Sequence, residues 1–318
     1  MNKYMVIVTG GAGFIGSNLA RMLEHQTNED IMIVDDLSDG KKFSNISDIK
    51  ICDYLDREEF LKSINKNDNF LKNIKCVFHQ GACTDTTEWD GNYMMNNNYT
   101  FSKILLKACL QKNVRFIYAS SAAVYGSSDK FNEQEDNESP LNVYGYSKLL
   151  FDQYVRNLSL SKNNQVVGLR YFNVYGPGEE HKGKMASVVY HFNQQILDHG
   201  IANLFKGSHG FEDGEQLRDF IFVKDIAEAN LWFYQNSHIS GIFNLGTGIS
   251  NSFNQIAREI INWHGKGEIN YIEFPENLKG TYQAETKADI GNLRKIGYSK
   301  KFTDIHNGIK QYLNSHVE

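Results

Sequence analysis

A tyrosine and a lysine four residues apart, Tyr144 and Lys148, form the pattern in this sequence best suited to chemistry. Four residues make about one helical turn, so on a helix the two side chains lie on one face. A lysine ammonium beside a phenol favours the phenolate, which predicts that Tyr144 exchanges protons below its ordinary pKa near ~10. Ser121, which follows an apolar run, is a candidate to hydrogen-bond the same substrate hydroxyl. The alternative for Ser121 is a hydroxyl that only ends a strand.

Three glycines spaced three apart, Gly10, Gly13 and Gly16, follow the apolar run Met5–Val8. In such a position Gly10 permits a tight turn, Gly13 lets the backbone approach a pyrophosphate, and Gly16 lets the next helix pack closely on the strand. The helix N-terminus then offers N–H donors and a positive dipole to phosphate groups. The spacing predicts a dinucleotide-binding turn, with a purely structural glycine-rich turn as the alternative.

Charged residues after the second apolar run bear on the choice of dinucleotide. Asp35 ends that run about one βαβ unit after the glycines, where an acid meets the adenosine ribose. A second acid, Asp36, favours NAD because carboxylates repel a 2′-phosphate, whereas Lys42 and Arg57 favour NADP. The residues alone leave this choice open. Asp53 is expected to follow a third strand and is a candidate to bind the adenine.

The apolar pattern of the first half predicts the scaffold that positions these residues. Short runs rich in β-branched and aromatic residues alternate with segments of helical length. The runs are Met5–Val8, Ile31–Val34, Cys76–His79, Phe116–Ala119 and Val166–Leu169. Their alternation with helices predicts parallel pairing and right-handed crossovers, and their continuous apolar character fits strands buried on both faces.

The predicted fold is α/β, a Rossmann-like doubly wound parallel sheet with a smaller, interleaved α/β substrate-binding domain. After Tyr171 the rhythm of strands and helices loosens, and the run Gly241–Leu245 is expected to rejoin the sheet. We expect residues 1–173 and 219–248 to form the dinucleotide domain, and residues 174–218 and 249–318 to form the substrate domain. With only 3 prolines in the chain, no proline-rich linker separates the two parts.

Composition excludes several classes of function. The net charge is −5 and no block of lysine and arginine occurs, which argues against nucleic-acid binding. No apolar run approaches the ~20 residues of a membrane span, and no signal peptide is evident, so a cytoplasmic protein without membrane insertion is expected. The 4 cysteines form no CxxC pair, which disfavours both disulfides and a metal site.

The glycine turn Gly10–Gly16, Ser121, and Tyr144 with Lys148 together resemble the extended short-chain dehydrogenase/reductase superfamily, which includes sugar-nucleotide epimerases and dehydratases. Within it, the chain more closely resembles the ADP-L-glycero-D-manno-heptose 6-epimerases over essentially its whole length. The most family-specific stretches are Thr86–Gly91 and His181–Ser187. Other matching stretches are Val34–Leu37, Gly81–Cys83, Tyr93–Met95, Pro140–Lys148, Arg170–Pro177 and Asn244–Gly248.

This resemblance implies a redox-neutral epimerisation in which hydride leaves C6 of the heptose and returns to the opposite face of a transient keto sugar. It implies tightly bound NADP, one per subunit, with NAD as the alternative. The product would supply lipopolysaccharide core heptose, and the protein would be a homo-oligomer, typically a pentamer. The acid/base groups implied are Tyr144 and Lys182, assisted by Lys148 and Ser121. For Lys182, a cation that binds phosphate is the alternative.

The resemblance also implies binding residues by motif position. The cofactor positions are Gly10, Gly13, Phe14, Ile15, Gly16, Asp35, Asp36, Lys42, Arg57, Gln80, Gly81, Ala82, Cys83, Thr84, Asn97, Tyr144, Lys148, Val174 and Lys182. The substrate positions are Asn173, Lys184, Ser187, His191, Phe205, Lys206, Gly207, Ser208, Arg218 and Tyr282. Arg218 suits a diphosphate because its fork binds two oxygens at once. Simpler roles are a helix cap for Asn97, a helical histidine for His191 and a packing aromatic for Tyr282.

The sequence departs from the family pattern in three places. Lys184 stands where the family has a small serine, and Asp36 stands where it has an asparagine. The segment 211–216 is longer and more acidic than usual, which bears on substrate entry. The rivals are a 4-epimerase, a 4,6-dehydratase and a non-catalytic cofactor sensor. The dehydratase needs an acid beside the catalytic hydroxyl, where Ser121 is followed by two alanines, and the sensor would not need Tyr144 and Lys148.

Overall fold

The computed structural model describes residues 4–66, 69–159, 161, 164–276, 280 and 282–315. The strands are β1 Met5–Thr9, β2 Asp30–Asp35, β3 Asp53–Asp56, β4 Ile74–His79, β5 Arg115–Ser121, β6 Val166–Tyr171, β7 Asn173–Tyr175, β8 Ile201–Phe205, β9 Leu217–Arg218, β10 Phe220–Phe222, β11 Gly241–Leu245, β12 Asn251–Ser252 and β13 Glu268–Ile272. The helices are α1 Phe14–Gln26, α2 Arg57–Lys66, α3 Gly91–Met94, α4 Phe101–Gln111, α5 Val143–Arg156, α6 Val188–His199, α7 Val223–Gln235, α8 Phe253–His264, α9 Gly291–Lys295 and α10 Ile305–Asn314.

Seven strands form one parallel sheet in the order β11-β6-β5-β4-β1-β2-β3. The strand order reverses between β1 and β4, and in doubly wound sheets this switch point is where ligands bind, outside the carboxyl ends of the strands. The predicted Rossmann-like α/β fold is confirmed, and the late strand β11 joins the sheet beside β6 as expected. The prediction for Asp53 is wrong in one respect, because this residue begins β3 rather than following it.

Alternate side chains of the central strands enter two separate apolar cores. Val6 and Val8 of β1 pack on one face with α1 and α7, while Ile7 packs on the other face with α4. This alternation is the period of two of an extended strand, and both of its phases are apolar because both faces are covered by helices. The carboxyl ends of the strands are therefore held rigidly by burial on two sides.

A smaller region lies against the carboxyl ends of the sheet. Its strands β8 and β13 pair in parallel, β9 and β12 pair antiparallel, and β7 pairs with β10. A third apolar core joins β7, β8, β10 and β13 to α6, α8 and α10. In the sequence, β7 to β10 precede α7, whereas β12 and β13 follow it and the sheet strand β11. The segments of the smaller region therefore alternate with segments of the sheet along the chain. The domain bounds at residues 173/174, 218/219 and 248/249 stay predictions.

One helical run enters the site through an irregular turn. The helical run that ends at Gln111 begins at α3, where Asp90 caps it by accepting a hydrogen bond from the Tyr93 N–H at 2.9 Å. Between α3 and α4, residues Met95–Thr100 form a π-helical turn. Such turns occur often at functional sites because they redirect neighbouring side chains.

Within the described ranges, no helix has the length and apolarity needed to cross a membrane.

Candidate active site

The glycine turn after β1 forms the floor of a groove at the switch point of the sheet. Gly10 has a φ of +65°, and a Cβ atom there would lie 2.5 Å from the Gly81 Cα atom at the end of β4. A Cβ atom at Gly16 would lie 2.1 Å from the Gly10 carbonyl oxygen, so α1 packs directly on the turn. Only glycine satisfies both constraints, one by its dihedral angle and the other by its size.

The N-terminus of α1 opens into a cavity of about 410 Å³. Its N-cap residue, Gly13, provides no side chain to bond the first amides of the helix. Uncapped amides at the start of a 13-residue helix are suited to bind phosphate oxygens, so the turn fits a dinucleotide pyrophosphate. Predicted residues that line this cavity are Gly10, Gly13, Phe14, Ile15, Gly16, Asp35, Lys42, Gln80, Gly81, Ala82, Cys83, Thr84, Lys182 and Lys184.

A second cavity of about 210 Å³ continues the groove toward β2. Asp35 is buried at the end of β2, where it accepts hydrogen bonds from the Ala12 N–H at 2.8 Å and the Lys42 ammonium at 2.9 Å. Asp36 is exposed, and its pKa is lowered by hydrogen bonding to Ser38 and by the charges of Lys42 and Arg57. The predicted residues that line this cavity are Gly10, Asp35, Asp36, Lys42, Arg57, Gly81, Ala82, Cys83 and Asn97.

Asn97 lies on the π-helical turn and contacts Arg57. The Arg57 guanidinium donates to the Asn97 side-chain oxygen, and the Asn97 amide donates to the Tyr93 carbonyl at 2.8 Å. Tyr93 and Phe101 also line this cavity, although neither was predicted from the sequence as a binding residue. Asp53 does not line the cavity; it is exposed, and its carboxylate accepts the Tyr54 N–H at 2.8 Å.

A third cavity, of about 340 Å³, brings together the four residues predicted to carry the chemistry. Ser121 comes from the end of β5, Tyr144 and Lys148 from α5, and Lys182 from a 3₁₀ helix at Glu180–Met185. The other predicted residues that line it are Phe14, Ile15, Gln80, Ala82, Thr84, Asn173, Val174, Ser187 and Arg218. The second cavity and this third one, called the reaction cavity below, each share lining residues with the 410 Å³ cavity at the start of α1, called the pyrophosphate cavity. The three therefore form one continuous groove.

Tyr144 and Lys148 lie on one face of α5, but the expected lowering of the tyrosine pKa is absent. Burial raises the pKa of Tyr144, and a side-chain hydrogen bond with Ser121 acts in the opposite direction. Lys148 instead donates to the Ala119 carbonyl at 2.8 Å. Burial lowers the pKa of Lys148 to about 8, and the nearby charge of Asp152 opposes that effect. The prediction was wrong because it neglected the desolvation of both groups.

Behind Lys148, one turn further along α5, lies the fully buried carboxylate of Asp152. It accepts hydrogen bonds from the Tyr118 hydroxyl at 2.8 Å, the Ser120 hydroxyl at 2.9 Å and the Arg170 guanidinium at 2.9 Å. The Arg170 guanidinium is itself fully buried, so the two charges compensate each other in the interior. This network fixes the face of α5 that carries the two predicted catalytic side chains.

Lys182 approaches the same cavity from the opposite side of the groove. Its amine lies 5.5 Å from the centre of the Phe14 ring at the start of α1. Burial lowers the pKa of this lysine, and the charge of Glu179 raises it. A lysine with a lowered pKa exchanges protons nearer to neutrality, which is compatible with an acid/base role.

Arg218 extends the reaction cavity toward the smaller region. Its guanidinium is buried between two aromatic rings, 4.7 Å from the Tyr282 centroid and 5.7 Å from the Phe253 centroid. Tyr282 in turn packs edge-on against Phe274 at 5.0 Å. Burial lowers the pKa of Arg218, and an anion would compensate the buried charge.

Beyond Tyr282, a further cavity of about 330 Å³ is lined by the predicted substrate residues Lys206, Gly207 and Ser208. Phe205 packs edge-on against Phe274, which lines the same cavity. The structure thus brings five of the predicted substrate residues around one aromatic cluster. They are Phe205, Lys206, Gly207, Ser208 and Tyr282.

The acidic segment 211–216 supports this cavity. The Asp213 carboxylate accepts the Gly207 N–H at 2.7 Å, and the Gln216 amide donates to the Lys206 carbonyl at 3.0 Å. Glu215 accepts a hydrogen bond from Asn254 on α8 at 2.6 Å. The extra acidic residues therefore bond to the backbone of their own loop and to α8.

Two predicted substrate residues, Lys184 and His191, line neither the reaction cavity nor the cavity beyond Tyr282. The Lys184 ammonium bonds to the Thr87 hydroxyl at 3.1 Å and the Asp85 carboxylate at 3.3 Å, and it lines the pyrophosphate cavity instead. His191 lies on α6 with its ring edge-on to Tyr190, one helical turn after Ser187.

Two polar groups that no sequence motif marks, Asn98 and His79, hold the groove together. Asn98, on the π-helical turn, bonds the Cys83 backbone on both sides, at 2.8 Å and 2.9 Å, and donates to the Ser147 hydroxyl at 3.0 Å. His79, at the end of β4, contacts the Thr9 hydroxyl at 2.6 Å and the Ser102 hydroxyl at 2.7 Å. Burial lowers the pKa of His79 to about 3, so it remains neutral. A polar residue that ends an apolar run was the available signal for His79.

Comparison with solved structures shows which proteins share this arrangement. The Helicobacter pylori ADP-L-glycero-D-manno-heptose-6-epimerase is 33% identical with a TM-score of 0.85, covering 98% of this chain and 96% of that one. The Methanobrevibacter ruminantium UDP-N-acetylglucosamine 4-epimerase is 28% identical with a TM-score of 0.82, covering 99% and 100%. The Bacillus cereus UDP-glucuronic acid 4-epimerase, at 24% identity and a TM-score of 0.80 over 99% and 100%, shares the fold.

The family model of the NAD dependent epimerases and dehydratases matches residues 6–246, from the first strand to the loop after β11. The matched range contains the glycine turn, Ser121, Tyr144 with Lys148, and the segment that carries Lys182. The chain belongs to the NAD dependent epimerase/dehydratase family, whose members act on sugar nucleotides.

Proposed function

We propose that this protein is an ADP-heptose 6-epimerase, which interconverts ADP-D-glycero-β-D-manno-heptose and ADP-L-glycero-β-D-manno-heptose. The observation that carries the proposal is the presence of two candidate proton-transfer groups, Tyr144 and Lys182, on separate elements that line one cavity. An epimerase that acts through a ketone handles the sugar in two orientations. A separate acid/base group for each orientation meets that need.

A nicotinamide dinucleotide, when bound, accepts hydride from a carbinol carbon and can return it. In one orientation Tyr144 takes the proton of the C6 hydroxyl while Ser121 hydrogen-bonds the same oxygen. Lys148 lies one turn further along the same face of α5, where its donation to the Ala119 carbonyl at 2.8 Å holds it at the wall of the reaction cavity. After the keto sugar turns, Lys182 gives a proton to the oxygen on the opposite side. The oxygen gains one proton for the one it lost, and the reaction is redox-neutral.

The lining of the reaction cavity argues against a dehydratase. Expulsion of water requires an acid near the reacting hydroxyl, and Ser121 is followed by Ala122, which is buried, and Ala123. Among the described residues that line this cavity, none is an aspartate or a glutamate. The two candidate proton donors are a tyrosine and a lysine, which suits an oxidation followed by a reduction at one carbon.

The similarity to the H. pylori ADP-heptose epimerase, at 33% identity, supports a heptose substrate with an ADP group. Arg218, stacked between aromatic rings, suits the diphosphate, and the cavity lined by Lys206 and Ser208 suits the nucleoside end. From the motifs that resemble the ADP-heptose epimerases, we also propose a homo-oligomer, typically a pentamer, and a role in the supply of lipopolysaccharide core heptose. The UDP-sugar 4-epimerase at 28% identity defines the alternative substrate class.

For the cofactor we propose NADP, with NAD as the alternative. Lys42 and Arg57 line the cavity toward β2 and favour a 2′-phosphate, whereas the exposed carboxylate of Asp36 opposes it. Asp36→Asn should therefore raise the NADP:NAD affinity ratio on the order of tenfold, the effect of about 1.4 kcal/mol. Calorimetric titration of the stripped protein with each cofactor measures this ratio. An unchanged ratio would show that Asp36 does not contribute to the choice.

The test of the proposed function is direct. The purified protein, without added cofactor, is incubated with ADP-D-glycero-D-manno-heptose, and the C6 configuration is followed by proton NMR. Conversion to the L-glycero epimer with no net change in reduced cofactor is expected. A parallel incubation with UDP-N-acetylglucosamine serves as the control. Turnover of that sugar alone, by folded protein that holds its cofactor, would replace the proposal by the 4-epimerase.

A further inference from the structure

A buried carboxylate lies just before Lys182 and takes no part in the chemistry described above. Glu179 is fully buried, at the point where the chain enters the 3₁₀ helix Glu180–Met185 that carries Lys182. Glutamate is seldom fully buried unless it is paired or hydrogen-bonded, because desolvation of the charge is costly. The partners of this carboxylate therefore show what it does.

The Glu179 carboxylate bonds to both ends of the segment that carries Lys182. It accepts the Gly176 N–H at 3.3 Å, where the segment leaves β7, and the Ser187 hydroxyl at 2.7 Å, where α6 begins. The Ser187 N–H donates to the same carboxylate at 2.5 Å. Near the middle of the segment, the Lys182 N–H donates to the Glu179 carbonyl at 2.9 Å. The carboxylate thus holds residues 176–187 as a closed loop.

Charged side chains from several elements line the pyrophosphate cavity together with Lys182, namely Asp35, Lys42, Asp85 and Lys184. Burial raises the pKa of Glu179 and lowers the pKa of Lys182, and the charge of each opposes the effect of burial on the other. The side chains of Tyr190 on α6 and Tyr312 on α10 lie within range of the Glu179 charge. His181, whose own pKa is lowered by burial, lies beside Lys182.

We propose that Glu179 is a positioning residue for Lys182, which closes the loop that carries this lysine and supplies the negative charge that keeps its amine protonated. The proposal rests on the proposed function, in which Lys182 donates a proton to the returning sugar oxygen. Without the carboxylate, more of the amine would be neutral at rest and could not serve as the acid.

The test measures the protonation of Lys182 without substrate. Protein as purified, with its cofactor, is trace-labelled with acetic anhydride across a range of pH, and the labelling of Lys182 is read by mass spectrometry against Lys184. In Glu179→Gln, the neutral fraction of Lys182 at pH 7 should rise on the order of tenfold, which corresponds to about one pKa unit. The pH at which epimerisation declines on the alkaline side should fall by a similar amount.

The matched control is Glu180→Gln, which removes a charge from the exposed neighbouring position. It should change the labelling of Lys182 by less than about threefold, as expected for a solvent-screened charge. An unchanged Lys182 in Glu179→Gln, or an equal change in Glu180→Gln, would overturn the proposal.

If Glu179→Gln fails to fold, Glu179→Asp still tests the charge, because it keeps the carboxylate. That variant should retain the labelling profile of the natural protein, and a tenfold rise in it would also overturn the proposal. Labelling requires no turnover. Failure to epimerise ADP-heptose therefore removes the proposed function and leaves the effect of Glu179 on Lys182 measurable.

Discussion

The two sides of the reaction cavity place the same chemical pair, a lysine near a buried carboxylate, on different kinds of structure. On the helix side, Lys148 and Asp152 are four residues apart on the regular helix α5. On the loop side, Glu179 precedes Lys182 by three residues in a segment that includes a glycine with positive φ. Regular helix geometry sets the first pair, whereas hydrogen bonds to Gly176 and Ser187 set the second.

The two carboxylates also differ in how their charge is compensated. Asp152 is bound by the buried guanidinium of Arg170 and by two hydroxyls, so much of its charge is neutralised within the sheet. The hydrogen-bond donors to Glu179 are neutral groups, and Lys182 is the cation that lowers its pKa. The carboxylate on the helix side therefore serves mainly to hold α5 rigid. The carboxylate on the loop side is less compensated, so more of its charge acts on Lys182.

The largest expected effect is loss of turnover in Tyr144→Phe, on the order of 10³-fold, because the hydroxyl that exchanges the proton is removed. Bound cofactor, measured by its absorbance after release, should stay at the level of the natural protein. Tyr146→Phe is the control, since that exposed tyrosine lies on the same helix. Near-normal turnover in Tyr144→Phe would remove the helix side from the mechanism.

Lys182→Met should lower kcat on the order of 10²-fold and leave KM for ADP-heptose within about threefold, as expected for loss of one acid/base group. Lys184→Met, on the same segment, is the control, because its amine bonds to Thr87 and Asp85 instead. Steady-state kinetics separates the two constants. A raised KM with an unchanged kcat would make Lys182 a binding cation, and the loop side would lose its acid/base role.

Removal of each carboxylate should affect stability unequally. Asp152→Asn should cost about 3 kcal/mol, because it removes one of the two buried carboxylates, Asp152 and Glu138, that compensate the buried charge of Arg170. Glu179→Gln should cost about 1 kcal/mol, the value of a hydrogen bond weakened among neutral donors. Urea unfolding of the cofactor-free protein measures both. Equal losses would contradict the difference in compensation described above.

The smallest effect is expected from Lys148→Met in the cofactor-free protein, which should raise the melting temperature by about 2 °C because it removes a buried charge. The pKa of Lys148 is lowered in the folded state to about 8, from an ordinary value of 10.5. The cost of this charge is therefore fully present below pH 8, and it fades as pH rises toward the unfolded value. Calorimetry at pH 7 and pH 10 tests the sign, and a gain that grows with pH would contradict it.

The sequence by itself determined the sheet, the glycine turn and the helix-side motif. Strands buried on both faces must be continuously apolar, and their alternation with helices leaves parallel pairing as the available solution. Gly10 and Gly16 are required by a positive φ and by a close contact that no side chain permits. Tyr144 and Lys148 share a face because their spacing is helical.

Tertiary structure alone decided the electrostatics and the loop side. Lys148 was expected to lower the pKa of Tyr144, but burial raises it. Burial depends on all the groups packed around the residue, which the sequence pattern does not show. Asn98 and His79 act through partners that folding brings together from distant positions. Glu179 carries no motif that marks it in the sequence. Its role depends on contacts with Gly176 and Ser187, which meet only because α6 packs beside the end of β7.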